Sequence, residues 1–402
     1  MHAHAIKTRS SETGGGTGAN GPTTAPVRVL HLNAGNLYGG VETLLTTLAR
    51  LRQLCPGMEP HFGLCYEGRL SRELEASGAP VYLLGAARLS RPWTVWQARG
   101  RVRDLIRRIS FDLVVCHMPW SLAVFGPALK ASGQRLGMWA HSSHAGTGWL
   151  ERMARRTPPD IALANSRFTA AGLVNLFPRT PKVVVHPPVA LAPPSTGMAT
   201  RSSLRGEFGA NDGTAVIVQV SRIERCKGHL VHLRALAKLT HLKTPWVCWI
   251  VGGPQRPEEH AYLGELQQLA SRLGLSERVR FLGQRDDVAG LLAAADIFCQ
   301  PNETPDSFGI SFIEALAAGC PVVTSTLGGA LEIVDDSCWR LVKPGDVDGL
   351  AASLAQLIEY PEVRHALGRQ GASRASELCD PASQMTLLYQ LAKADNTGAA
   401  RS

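Results

Sequence analysis

"PDSFGISFIEALAAGCPVV", residues 305–323, sets a carboxylate, Glu314, inside an otherwise apolar run. A Ser-Phe-Gly loop leads in, and Gly319, Pro321 and two valines close it. Ile310, Phe312, Ile313 and Leu316 recur at helical spacing, which predicts a helix packed on a core and then a buried strand. Burying an unpaired carboxylate costs several kcal/mol. Glu314 is therefore either paired or turned toward something that needs it.

Working outward, the same unit repeats. "AVIVQVS" (215–221), "WVCWIVGG" (246–253), "VRFLG" (279–283), "DIFCQP" (296–301) and "PVVTS" (321–325) read as strands, with helices predicted near 228–240 and 260–273. The first half carries its own series: "VRVLHLN" (27–33), "PHFGLCY", "PVYLLG", "FDLVVCH" (111–117), "RLGMWAH" (135–141), "DIALANS" (160–166) and "KVVVHPPV" (182–189). Continuous apolar strands alternating with helices mean parallel sheets covered on both faces. The prediction is α/β, with two doubly wound Rossmann-like domains facing across a cleft and the ligand between them at the carboxyl ends of the strands. Residues 27–190 form the first domain and 213–375 the second. The Pro-, Ser- and Thr-rich stretch within 191–212 reads as a linker. Residues 376–402 supply a last helix, near 376–393, packing back on the first domain, and a tail.

Composition excludes several classes. Of 402 residues, 45% are hydrophobic and 19% charged, as in a globular protein with ample core. No stretch approaches the roughly 20 continuous apolar residues of a membrane span. Residues 1–26 read as a polar disordered tail without the apolar centre of an export signal. The "GTGANG" at 16–21 fits a dinucleotide pattern but has no strand before it and no helix after it. Nine scattered cysteines with no C-x-x-C pair argue against a disulfide framework and for a reducing cytoplasm. A net charge of +9 permits anionic partners and selects none. Nucleic acid is not expected, because no aromatics interleave with the basic residues in a recognisable module.

Three strand-to-helix loops carry the chemistry. Gly39-Gly40 opens a helix whose free N–H groups and partial positive charge suit an anion, although a plain tight turn reads the same way. Arg222 and Lys227 in "VSRIERCKGH" can converge on one diphosphate, as fork and point charge, or stand as two solvated cations. Ser307, Phe308, Gly309 and Ile310 lead into the helix of Glu314, with Asp306 eight residues before it. A carboxylate turned into a cleft can accept both hydroxyls of a ribose; a salt-bridged helix glutamate is the alternative. Gln284 and Arg285 follow the strand "VRFLG" and are placed near a nucleotide base. "HSSH" (141–144) and the His229/His232 pair lack Cys or carboxylate company, so no metal site is expected.

Together, "VSRIERCKGH", "WIVGG", "RVRFLG", "AAADIFCQP" and "DSFGISFIEALAAGCPVVTSTLGGALEIV", with "YGGVE", "DLVVCH" and "ALANSRF", resemble the family 4 glycosyltransferases over roughly residues 27–375. The resemblance implies the GT-B fold and sugar transfer, with retained anomeric configuration, from a UDP- or GDP-linked donor bound in the second domain. No other cofactor is implied. The family's E-x7-E motif falls on Asp306 and Glu314, with Glu314 on the ribose hydroxyls. Arg222 and Lys227 match the basic pair on the donor phosphates, Gly40 the glycine near the diphosphate, and His117 the histidine near the transferred sugar. Asp306 departs from the usual glutamate by one methylene, and Glu303 is a nearby acid that can compensate.

The acceptor is expected to be a sugar or a lipid-linked molecule. Residues 88–110 carry seven arginines and one aspartate, flanked by Trp93 and Trp96, and suit an anionic membrane surface; an ordinary surface helix is the competing reading. The expectation is a cytoplasmic protein, peripheral at the inner face of the membrane if that helix binds there. Two rivals share the architecture: a GT-B epimerase or phosphorylase, and a catalytically weakened scaffold or nucleotide-sugar binding protein with Asp306 as its sign.

Overall fold

The computed structural model describes residues 25–190, 198–333 and 338–394, so the amino-terminal tail and the "GTGANG" stretch lie outside the described residues. Seven strands build the first sheet: β1 (Val27–Asn33), β2 (Met58–Leu64), β3 (Val81–Leu83), β4 (Leu113–His117), β5 (Leu136–Ala140), β6 (Ile161–Ala164) and β7 (Lys182–Val184). Six build the second: β8 (Ala215–Val220), β9 (Trp246–Val251), β10 (Val279–Gly283), β11 (Ile297–Gln300), β12 (Val322–Ser325) and β13 (Trp339–Val342). Their orders are β3-β2-β1-β4-β5-β6-β7 and β10-β9-β8-β11-β12-β13, parallel throughout. The expected pair of doubly wound domains is present.

Each sheet reverses its strand order beside its first strand, between β1 and β4 and between β8 and β11. The loops leaving the carboxyl ends there diverge and leave a crevice. Central strands such as β4 and β9 are buried along their whole length. That is why their sequences are unbroken apolar runs rather than alternating ones.

Three expectations are corrected. The segment read as a linker contains the helix Met198–Glu207; residues 191–197 lie outside the described residues. Arg205 anchors that helix, pairing with Asp296 at 3.0 Å and donating to the carbonyls of Ala294 and Asn211 at 2.9 Å each. The strand series continues past "PVVTS" to β13, where Arg340 and a half-buried centre break the unbroken apolar run that marks a strand such as β9. The last helix is two: Pro361–Cys379, then Pro381–Lys393, divided where Asp380 accepts from the Ser383 N–H at 2.8 Å. Met385, Leu388 and Ala392 of the second bury against Val27, Val29 and Leu48 of the first domain.

Candidate active site

A cleft of about 880 Å³ runs between the two sheets' carboxyl ends, and the three predicted loops all border it. On the first-domain wall, β1 ends in a loop that opens the helix Gly40–Arg50. Glu42 folds back over its first turn, accepting from the Gly39 N–H at 2.9 Å and from Asn33 Nδ2 at 3.0 Å. The Gly39 N–H is thus already used, and the Gly40 N–H has no partner among the described residues. A Cβ on Gly40 would stand 3.4 Å from Ile310 of the second domain, so the two walls approach closely there.

On the second-domain wall, the turn Arg225–Lys227 is held from behind by the buried Gln219, which donates to the Lys227 carbonyl at 2.9 Å. Lys227 Nζ meets Asp306 Oδ2 at 2.7 Å, and Arg222 Nη1 meets Glu224 at 2.6 Å. Burial would raise the Asp306 carboxyl, but the Lys227 charge and hydrogen bond hold it below the usual carboxylate range. Glu303 holds its backbone to Cys226, while Asp306 is the acid that reaches Lys227.

The third loop is tightly folded. Gly309 has φ +101°, and a Cβ there would fall 2.3 Å from the Phe312 ring, so glycine is required before the helix Ile310–Ala317. The fully buried Phe308 stacks on His186 with ring centroids 5.2 Å apart. Glu314 lies in the cleft with no donor or cation in reach among the described residues. Burial alone pushes its carboxyl up to about 7. Arg285 also borders the cleft, forked onto Asp287 at 2.7 and 2.8 Å.

His117 does not face the cleft. It is fully buried, and its two ring nitrogens meet His31 Nδ1 at 3.0 Å and His141 Nε2 at 2.9 Å. His141, half-buried one strand over, is the histidine that lines the cleft. The ligand-like pairs separate: His144 bonds Glu151 at 2.9 Å, His232 bonds Gln219 at 2.8 Å, and His229 lies 3.3 Å from Ser221.

Sequence reasoning also missed the contacts between the domains. Ser166 Oγ donates to the Ser307 carbonyl at 2.5 Å, Asn165 Nδ2 to Ser307 Oγ at 3.3 Å, and the Arg167 N–H to Glu332 at 2.5 Å. On the far side of the cleft Tyr38 and Gln255 exchange two bonds, at 3.1 and 2.7 Å, and Arg69 pairs with Asp286 at 2.8 Å. A smaller cavity of about 350 Å³ lies behind the second sheet, where Arg201 and Arg205 are both paired with Asp296.

Two parallel Rossmann-like sheets meeting at a cleft lined with cations and one unpaired carboxyl define the GT-B architecture. Residues 200–374 match the model of glycosyl transferases group 1, and residues 38–192 that of glycosyltransferase family 4. The D-inositol 3-phosphate glycosyltransferase of Corynebacterium jeikeium is 34% identical over 70% of this chain and 73% of its own length. A GDP-mannose-dependent monoacylated alpha-(1-6)-phosphatidylinositol monomannoside mannosyltransferase of Corynebacterium glutamicum is 30% identical over 67% of this chain and 72% of its own. Several other D-inositol 3-phosphate glycosyltransferases align over only about half of their length. Among solved structures, HepE of Anabaena in complex with UDP and glucose superposes with TM-score 0.79 at 23% identity, over 92% of this chain and 100% of that one. The chain belongs to glycosyltransferase family 4.

Proposed function

We propose that the cleft binds a UDP- or GDP-linked sugar and transfers the sugar, with retained anomeric configuration and without a metal ion, to a hydroxyl acceptor. The observation that carries this reading is the unpaired carboxyl of Glu314 in the same cleft as Arg222, Lys227 and the Gly40 helix N-terminus. Glu314 takes the ribose hydroxyls, the cations and the Gly40 N–H take the diphosphate, and Arg285 lies toward the base. Asp306 holds Lys227 in place. His141, rather than His117, stands beside the transferred sugar.

In the transfer, the bond from the sugar's anomeric carbon to the diphosphate oxygen breaks, and a bond to the acceptor oxygen forms on the same face. The acceptor's proton passes to the leaving phosphate oxygen, so no separate protein base is required. Charge developing on that phosphate is stabilised by Arg222, Lys227 and the helix N-terminus. The relatives named for D-inositol 3-phosphate and for a phosphatidylinositol mannoside support a cyclitol or lipid-linked acceptor in glycan or glycolipid synthesis. A thermal-shift panel of UDP, GDP, ADP and their sugar conjugates, without metal, tests the donor site. A ligand at 100 times its dissociation constant adds about 2.7 kcal/mol. A rise with one nucleotide that vanishes in Glu314→Ala supports the reading; no rise with any nucleotide rejects it.

Contact with an anionic membrane at the cytoplasmic face is part of the same proposal. In the helix Pro92–Arg108, Val95, Ala98, Val102 and Leu105 are buried while Trp93 and Trp96 are 60% and 71% exposed. Arg99 and Arg101 are instead bonded to the carbonyls of Val124 and Leu84, so the basic face is smaller than its sequence implies. Salt-sensitive flotation with anionic liposomes, lost in the Trp93→Ala/Trp96→Ala double variant, is the expected result. Absence of flotation ends the idea.

A further inference from the structure

Three histidines climb the first sheet as a staircase. His31 of β1 is level with Val115 of β4, and His117 lies two residues beyond Val115 toward the cleft. His117 is in turn level with Trp139 of β5, and His141 lies two residues beyond that. The side chains join in sequence, His31 Nδ1 to His117 Nε2 at 3.0 Å and His117 Nδ1 to His141 Nε2 at 2.9 Å. The His117 and His141 ring planes are 8° from parallel with centroids 5.1 Å apart, close to the largest separation a 2.9 Å N···N contact permits, which places their bond along both ring planes and the nitrogen lone pair. Trp139, fully buried, packs beside both rings, with centroids 5.6 Å away and planes inclined by 26° and 25°.

Burial and the neighbouring histidines keep the three rings neutral at pH 7, with His31 and His141 pushed down to about 3. A neutral imidazole has one N–H and one bare nitrogen, so the chain can point only two ways. Pointing inward, it ends in an N–H on His31 Nε2, which is buried with no partner among the described residues. Pointing outward, it ends there in a bare nitrogen. Orphaned buried N–H groups are the rarer defect. The outward chain puts the proton on Nδ1 of every ring and leaves His141 Nδ1–H as the group free toward the cleft.

We propose that His31 and His117 are positioning residues that fix His141 as a neutral Nδ1–H donor to the bound sugar or its leaving phosphate. Neither residue lines the cleft; both act through His141. This rests on the transferase reading of the cleft, but its first test does not.

Long-range nitrogen–proton NMR on the histidine-labelled wild-type protein, without nucleotide, should show His141 protonated on Nδ1 and bare on Nε2. A proton on Nε2 instead overturns the inference outright, whatever the donor panel gives. His31→Phe removes the inner donor, so His141 should become a tautomer mixture. Turnover should then fall about 10- to 100-fold, the range seen when a partner orienting a functional imidazole is removed, with the affinity for nucleotide within twofold of wild type. His31→Asn, whose amide can stand where Nδ1–H stood, should restore both the spectrum and the rate. A His31→Phe protein whose His141 keeps a pure Nδ1–H spectrum would reject the relay.

Discussion

Replacing Glu314 by glutamine separates what that carboxyl does for binding from what it does to stability. Its folded-state pKa is about 7 against an ordinary 4.5, with burial as the cause. Between those values the folded protein holds a proton that the unfolded chain has released. Stability contributed at this position is therefore lost as pH rises from 4.5 to 7, and the loss is complete above 7. At about 1.4 kcal/mol per pH unit the span amounts to about 3 kcal/mol. Glutamine carries no charge at any pH and escapes the loss. The Glu314→Gln protein should melt with wild type near pH 4.5 and above it at pH 8, by roughly 6–12 °C for a domain of this size. Its nucleotide-induced shift should disappear, and wild-type binding should weaken as pH falls below 7. Melting curves at pH 4.5, 6, 7 and 8, with and without nucleotide, read both effects. If the two proteins melt in parallel across that range, Glu314 is solvated or paired and the reasoning fails.

Three further outcomes are expected. Lys227→Ala removes a cation from the leaving group and should lower turnover about 100- to 1000-fold; steady-state kinetics at wild-type rate would sink the assignment. Gly309→Ala forces φ +101° on an L-residue and drives its Cβ into Phe312, so melting should report a loss of about 1–3 kcal/mol and a weaker nucleotide shift. Arg205→Ala leaves the buried carbonyls of Ala294 and Thr214 and the exposed one of Asn211 short of a donor, and breaks one of the two Asp296 pairs. Urea titration should then show destabilisation of about 2–5 kcal/mol, chiefly from the two buried carbonyls left without a donor, with the nucleotide affinity of the folded fraction unchanged.

The fold was legible because buried parallel strands write themselves as unbroken apolar runs, and "VRVLHLN" and "VRFLG" match β1 and β10 residue for residue. Arg222, Lys227 and Asp306 were legible as cleft residues because each lies in a loop leaving a strand end, and Glu314 because it is the one charge in the apolar helix that follows such a loop. His141 was not. "HSSH" looks like half a metal site, and whether His117 or His141 turns to the cleft depends on the register of β4 against β5, which no local pattern encodes. The Ser166–Ser307 bond joins residues 141 apart in the chain, and the Tyr38–Gln255 exchange residues 217 apart. The helix Met198–Glu207 was hidden by its flanking prolines, serines and threonines, and by a buried arginine whose partner Asp296 lies 91 residues on.

Asp306 in place of glutamate is best understood through its partner. The shorter acid lies 2.7 Å from Lys227 while its other oxygen accepts from the Ser307 N–H at 2.9 Å, so one carboxylate orients both the cation and the loop that opens the Glu314 helix. The same pattern recurs around the cleft, with Arg222 on Glu224 and Arg285 on Asp287. Each cation is held in place by an acid, and under the proposed function an entering diphosphate would exchange with those acids rather than meet bare charge. The Arg222 and Arg285 pairs, partly open to water, are individually weak, of order 1 kcal/mol or less, so their exchange gives up little. Glu314 lies outside this scheme. Its carboxyl has no cation to leave among the described residues, and under the proposed function a ribose diol would supply the two donors it lacks.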